Sequence, residues 1–281
     1  MWLLLLVSLL WAFSFGLVKQ MTGIDGAFLS AARLALAALV LLPWLRVGGL
    51  ASRTRATLLG IGAVQFGLMY LAYNEAFRFL KAYEIALFTL TTPIFVTLLA
   101  DALDRTLRPR ALLAALLAVA GGAAIYLKTS PAAGTLAGVV LVQLSNVSFA
   151  FGQVCYRRLR AQQPALRDRE VFGLLYLGAL AVALPATLVR TDFAALPLTP
   201  ANVGLLLYLG VVASGVGFFL WNLGATRVCA GTLAACNNLK IPLAVAVSLV
   251  VFGERADVPR LLIGGTLMGL AVWIAERRAA A

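Results

Sequence analysis

The stretch LLGIGAVQFGLMYLAYN at residues 58–74 returns as LLYLGVVASGVGFFLWN at residues 206–222, at a constant offset of 148. Gly62 then matches Gly210, and the final asparagine of one copy matches that of the other. Each copy is a mostly apolar run, close to the length of about 17–25 residues that crosses a bilayer as a helix. Self-similarity at a fixed offset indicates a chain built from two related halves.

The match extends beyond this stretch. Pro93 meets Pro242 after a slip of one residue, and Gly121 falls on Gly269 at the original offset. The composition supports a membrane location, because only 12% of the 281 residues are charged whereas 62% are hydrophobic. A soluble domain would carry about a quarter charged residues. A soluble enzyme, a secreted disulfide scaffold and a disordered chain are therefore excluded.

Hydropathy divides the chain into ten apolar spans, which leave no room for a soluble domain. The spans lie at about residues 2–18, 28–45, 57–77, 83–100, 111–127, 135–156, 171–189, 203–225, 230–252 and 260–275. Each half holds five spans, an odd number, so the second half enters the membrane inverted. The predicted fold is an all-α integral membrane protein of two inverted five-helix repeats, 1–130 and 131–281. Secondary transporters are built in this way, with the substrate site near the midplane.

Basic residues cluster in short loops between the spans, as Arg53 and Arg55 and then Arg157 and Arg158 do. With the N-terminus inside, 14 of the 23 lysines and arginines lie on the inner side and 7 on the outer side. The positive-inside rule then predicts that both termini are cytoplasmic. The net charge of +12 therefore reports topology and does not indicate a nucleic-acid partner.

Lys240 lies about ten residues into the ninth span, roughly 15 Å along a helix and so near the bilayer centre. Charged residues at that depth are costly and are usually functional. We expect Lys240 to attract an anionic group such as a substrate carboxylate, with Asn237 and Asn238 as hydrogen-bonding neighbours. The alternative is a permanent ion pair with Glu75 or Glu84, or a neutral buried lysine.

Further candidate substrate contacts are polar or aromatic residues inside other spans. Polar side chains in hydrocarbon need partners from other helices or from a wet cavity, and aromatic rings suit a flat apolar solute. Each ring could instead serve packing. The candidates are Ser145, Asn146 and Phe149 in the sixth span, Tyr70, Tyr73 and Asn74 in the third, and Trp221 in the eighth.

The two matched prolines are candidate hinges. Pro93 and Pro242 each delete a backbone donor, so each helix is expected to kink, and paired kinks suit alternating access. Proline is also simply tolerated in membrane helices. Arg33, near the start of the second span, is expected to snorkel outward. Glu75 and Arg78 are expected to form a surface ion pair.

Cofactors, metals and nucleotide-driven catalysis find no support in the sequence. There is no histidine, and the three cysteines lack the spacing of a metal site. No phosphate-binding G-x-x-x-x-G-K-[ST] motif occurs, nor any H-E-x-x-H or G-x-S-x-G motif. The prediction is therefore no cofactor, no metal, no catalytic residue, and transport that is facilitated or coupled to an ion gradient.

Four motifs in order resemble the drug/metabolite transporter superfamily, specifically its EamA-type ten-helix exporters. They are LWAFSF at 10–15, LAYNEA at 71–76, TPIF at 92–95 and, after Pro242, VFGER at 251–255. The resemblance covers nearly the whole chain. It implies hairpins of spans 3–4 and 8–9 around a central cavity, and export of metabolites such as aromatic amino acids. One departure is that the first copy has Asp104-Arg105 where the second has Gly253-Glu254.

The predicted function is a secondary transporter in the bacterial inner membrane that exports aromatic or other neutral amino acids by alternating access. Its partners are the lipid bilayer and a small-molecule substrate, and it is a monomer or a homodimer. One alternative is a transporter of another metabolite or drug in the same superfamily. Others are an intramembrane enzyme on lipid-linked substrates, for which catalytic groups are scarce, and a structural subunit without a cavity.

Overall fold

The structure is a computed structural model that describes residues 2–105, 113, 116, 117, 119–121, 134–225 and 230–276, without the side chains of 225, 230–239, 272, 275 and 276. Across these residues all the regular elements are helices. Nine long helices follow in order: α1 (Trp2–Gln20), α2 (Gly26–Leu41), α3 (Ser52–Ala76), α4 (Ala82–Leu103), α5 (Thr135–Gln162), α6 (Asp168–Arg190), α7 (Pro200–Gly224), α8 (Ala230–Val250) and α9 (Val258–Glu276).

Seven of these nine helices are long and apolar enough to cross a membrane. Within the parts of α8 and α9 whose side chains are described, the apolar stretches are Lys240–Val250 and Val258–Ala271. Large apolar side chains face outward from the bundle, with Val189 86% and Val250 83% exposed. Such an apolar exterior suits a protein surrounded by lipid. The predicted fifth span, 111–127, lies almost entirely outside the described residues, so the count of ten stays a prediction.

Side-chain caps determine where two of the helices begin. Asp25 accepts hydrogen bonds from the backbone N–H groups of Ala27 and Phe28, both at 2.9 Å, at the start of α2. Thr199 accepts one from the Asn202 N–H at 3.2 Å at the start of α7. Each cap satisfies amide groups that a helix start leaves without partners.

The internal repeat is visible in the backbone. A π-helical segment, Ala63–Leu68, interrupts α3, and a second one, Tyr208–Val216, interrupts α7. A shift of the first segment by 148 residues places it at 211–216, inside the second. Because π-helical turns are rare, their coincidence at the repeat offset indicates that the two sequence copies share a local structure.

The two copies pack crosswise through their glycines. Gly62 of α3 lies directly against the backbone of Leu175 in α6, and its repeat mate Gly210 of α7 lies against the side chain of Leu36 in α2. A Cβ atom at either glycine would overlap these neighbours. Helices of the first half therefore pack directly against helices of the second half, so that the two halves interlock.

Hydrogen bonds close the end of the bundle that carries the α3–α4 turn. Lys19, at the end of α1, donates to the Phe77 carbonyl oxygen at 2.7 Å. Glu254, in the α8–α9 loop, accepts from the backbone N–H groups of Ala82 and Tyr83 at 3.0 and 3.1 Å. The start of α4 is thereby bound to the second half of the chain. We call this set of contacts the turn latch.

Candidate functional site

A cavity lies among seven helices, α1 to α5, α7 and α8. Its free space is about 580 Å³, a figure that includes its open mouth. Most of its wall is aromatic or polar, and two basic side chains reach it. The lining residues are Trp11, Ser14, Phe15, Arg33, Met69, Tyr70, Tyr73, Thr89, Thr92, Ser145, Asn146, Phe149, Phe218 and Lys240. Small-molecule sites commonly combine apolar walls with a few polar groups in this way.

Lys240 holds its ammonium group against aromatic rings. Its Nζ lies 5.0 Å from the ring centroid of Trp11, 5.8 Å from that of Trp221 and 5.9 Å from that of Phe149. The residue is only 9% exposed. Among the described residues it has no carboxylate within 4.0 Å and no hydrogen-bond acceptor. Cation–π attraction offsets part of the burial cost, but three N–H donors remain available to a ligand.

The predicted alternative for Lys240, a permanent ion pair with Glu75 or Glu84, is wrong. Glu75 pairs with Arg78 at 2.5 Å, as predicted for a surface pair three residues apart. The Glu84 carboxylate accepts from the Lys81 backbone N–H at 2.9 Å and so caps the start of α4. Both carboxylates therefore bind groups of the α3–α4 turn, and neither pairs with Lys240.

Arg33 does not snorkel outward, contrary to the sequence-based expectation. It is 3% exposed, and its Nε donates to Ser214 Oγ at 3.2 Å while Nη2 donates to the Tyr70 hydroxyl at 3.0 Å. Its Nη1 reaches Asn74 Oδ1 at 3.5 Å. The reason is that neutral acceptors on α3 and α7 converge on the inward face of α2. The cavity therefore has two buried cations, not one.

Asn146 joins α5 to a break in α4. Its amide nitrogen donates to the Phe88 carbonyl at 2.9 Å and to Thr91 Oγ1 at 3.0 Å, and its amide oxygen accepts from Thr92 Oγ1 at 3.1 Å. Thr89–Thr91 form a 3₁₀ turn, and Pro93 is the second residue after it. In this 3₁₀ turn the Thr92 N–H bonds the Thr89 carbonyl and not the Phe88 carbonyl, so side chains supply the donors to Phe88.

The matched prolines differ in their surroundings. Pro93 stands in the second position of the α-helical segment that follows the 3₁₀ turn, whereas α8 continues as an α-helix through Pro242. A 3₁₀ break therefore precedes Pro93 in α4, whereas the described backbone of α8 has no such break at Pro242. The sequence equivalence of Pro93 and Pro242 does not extend to the local backbone, and their role as hinges stays a prediction.

The cavity brings together six of the ten predicted substrate contacts: Tyr70, Tyr73, Ser145, Asn146, Phe149 and Lys240. Two others stand behind the wall. Asn74 binds Arg33 and donates to Ser30 Oγ at 2.8 Å, and Trp221 packs on Trp11 with 5.0 Å between ring centroids. Asn237 and Asn238 lie on α8, but their side chains fall outside the described part of the chain.

Comparison with known proteins identifies the chain. The EamA-like transporter family matches residues 1–127 and 136–276. The chain belongs to this family. A protein of Pseudomonas aeruginosa named a probable biotin transporter is 41% identical over 274 residues, which are 96% of each chain. The biotin transporter of Escherichia coli K12 is 38% identical over 97% of this chain and 91% of its own.

The fold is similar to that of a solved structure. That crystal structure covers 99% of this chain and 96% of its own with a TM-score of 0.64, at 17% sequence identity. Within the family, the sequence motifs suggest the bacterial aromatic amino-acid exporter YddG as the most similar member. The relatives are instead named as biotin transporters, so the comparisons support neither that likeness nor export of aromatic amino acids. They support the broader prediction, a small-metabolite transporter of this superfamily.

Several lining residues of this EamA-like protein escaped the sequence-based set, Arg33 above all. An arginine inside an apolar span is itself a signal, but its partner Ser214 lies 181 residues away. Nothing in the sequence marks Thr89 and Thr92 as lining residues except that both lie shortly before Pro93. Trp11 could have been found, because an aromatic residue recurs at that depth in several spans.

Replacing Asn146 with leucine is expected to destabilise the protein. The Phe88 carbonyl would lose one of its donors, and Thr92 would lose its acceptor inside the bundle. An unsatisfied buried polar group costs roughly 1–3 kcal/mol. The measurement is the thermal unfolding temperature of the purified protein in detergent. Ser148→Ala is the matched control on α5, since that hydroxyl bonds only the Leu144 carbonyl of its own helix; equal shifts for both variants would contradict the assignment.

Proposed function

We propose that this EamA-like protein transports biotin across the bacterial inner membrane by alternating access. The observation that carries the proposal is Lys240, a buried ammonium group that faces a cavity and has no acidic partner among the described residues. A cation in that state favours an anionic ligand. The names of the relatives supply the identity of that ligand, because biotin carries one carboxylate.

The cavity chemistry suits the rest of the molecule as well. Biotin joins its carboxylate, through a flexible apolar chain, to a fused ring system with a polar ureido group. The rings of Trp11, Phe149 and Phe218 offer apolar walls for the chain and the fused rings. Hydroxyl and amide groups, such as those of Ser145 and Asn146, lie within the same lining.

The proposed transport cycle uses the repeat. Two inverted five-helix halves, divided near residue 130, would rock about the midplane site. The break in α4 before Pro93 provides a place for the backbone to bend, and Pro242 is the proposed partner hinge in α8. The excess of basic residues on one side supports cytoplasmic termini.

Counterflow in proteoliposomes tests the proposal. Vesicles loaded with unlabelled biotin should accumulate external radiolabelled biotin, and added biotin should compete whereas phenylalanine should not. Arg78→Gln is the matched control, because it removes an exposed cation outside the cavity and should transport as the wild type does. Accumulation of labelled phenylalanine without accumulation of biotin would overturn the proposal and restore aromatic amino acids as the substrate.

A further inference from the structure

The second cation of the cavity, Arg33, is not needed to hold a single carboxylate. It stands on α2, whereas Lys240 stands on α8, and both reach the same lining. A substrate with one negative charge can neutralise only one of them. The surroundings of each cation determine which one takes the charge and what the other one binds.

Neutral groups already share the charge of Arg33. Ser214 donates its own proton to the Leu209 carbonyl at 2.6 Å, so its oxygen accepts from both Arg33 and Tyr70. The Arg33 guanidinium also lies over the Tyr70 ring, 4.4 Å from its centroid. Within the described part of the chain, the contacts of the Lys240 ammonium group are with ring faces. An anionic ligand group is therefore expected to bind at Lys240 and not at Arg33.

Arg33 nevertheless keeps donors to spare. A guanidinium group carries five N–H donors, and its bonds to Ser214, Tyr70 and Asn74 use three of them. The remaining two have no acceptor within the described parts of the chain. Since the bound donors hold the group in place, the free ones are preorganised for a ligand oxygen. A neutral carbonyl satisfies them without a second negative charge.

A row of aromatic rings joins the two cations. The Lys240 Nζ lies 5.0 Å from the Trp11 centroid, Trp11 lies 4.7 Å from Phe218, and Phe218 lies 6.1 Å from Tyr70, which carries Arg33 on its face. The cavity wall thus runs from a free ammonium group, along apolar rings, to a fixed guanidinium group. This order matches a ligand with a charged end, an apolar middle and a neutral polar end.

We infer that Arg33 determines specificity by donating hydrogen bonds to the ureido carbonyl oxygen of biotin while Lys240 binds the carboxylate. The inference rests on the proposed function and adds the orientation of the substrate in the cavity. It assigns to Arg33 recognition of an uncharged group, although the residue is itself charged. Removal of Arg33 should therefore change selectivity at the ring end of the ligand only.

Three ligands separate the two ends of the site. They are biotin, biotinamide, in which an uncharged amide replaces the carboxylate, and the thiocarbonyl analogue, in which sulfur replaces the ureido oxygen and accepts hydrogen bonds poorly. Dissociation constants are measured by calorimetry on purified protein in nanodiscs. The wild type should prefer biotin to both analogues. In Arg33→Gln the dissociation constant for biotin should rise about tenfold. This variant should no longer prefer biotin to the thiocarbonyl analogue, but it should still prefer biotin to biotinamide.

Each other result overturns a definite statement. If Arg33→Gln raises the dissociation constants of all three ligands by the same factor, Arg33 has a structural role and the inference is overturned. If Arg33→Gln no longer prefers biotin to biotinamide, the carboxylate binds Arg33 and not Lys240, and the inference is again overturned. If Arg33→Gln does not fold, Arg33→Lys, which keeps the charge but not the fork of donors, must show the same selectivity change. Wild-type protein that binds no biotin would overturn the proposed function and the inference together.

Discussion

Replacing Lys240 with glutamine is expected to raise the dissociation constant for biotin roughly 10- to 100-fold, because a hydrogen bond to a charged group contributes about 1.5–3 kcal/mol. The ammonium group is the charged partner that we propose for the carboxylate, and the other cation of the described lining, Arg33, is held by Ser214, Tyr70 and Asn74. Transport of biotin at low concentration should fall in proportion. Binding is measured by calorimetry and transport by counterflow.

The same substitution should leave the empty protein as stable as the wild type, or more stable. A buried cation without an acidic partner is costly, by at least ~2.5 kcal/mol on insertion scales, and the neutral amide removes that cost. Weaker binding together with an unchanged or higher unfolding temperature is the expected pair of results. A lower unfolding temperature for Lys240→Gln without ligand would instead indicate a structural partner and would contradict the site.

The largest effect on stability is expected for Gly62→Ala. The new methyl group would overlap the backbone carbonyl of Leu175, which cannot rotate away as a side chain can. Overpacking of this kind costs typically about 1–3 kcal/mol. The crossing of α3 and α6 would widen, and the interlocked halves would separate at a lower temperature. The measurement is the thermal unfolding midpoint in detergent.

The matched control lies two residues away. Gly60 is on the same helix, and a Cβ atom there meets nothing within 4 Å. Because alanine is the better helix former by about 1 kcal/mol, Gly60→Ala should leave the unfolding midpoint unchanged or raise it slightly. Equal destabilisation by both substitutions would show that helix propensity, and not the close crossing, governs the effect at Gly62.

The sequence predicted the described helices well because apolar runs are a local pattern. Apolar runs define the spans, and the offset of 148 relates the two π-helical segments. The burial of Lys240 agrees with its place in the middle of an apolar span. Arg33 shows where local pattern fails: its position near the start of a span suggested an outward side chain, but hydroxyl and amide groups on α3 and α7 draw it inward. Such convergence is a property of packing between distant segments.

The turn latch makes the two ends of this transporter unequal. Glu254 has no acidic counterpart in the first repeat, where Arg105 takes its place. The free energies of the two access states therefore need not be equal, although the halves share a plan. In the proposed alternating-access cycle, substrate that arrives from the latched end would bind only molecules in which these hydrogen bonds have broken, so its apparent affinity would fall by the fraction of molecules in the open state.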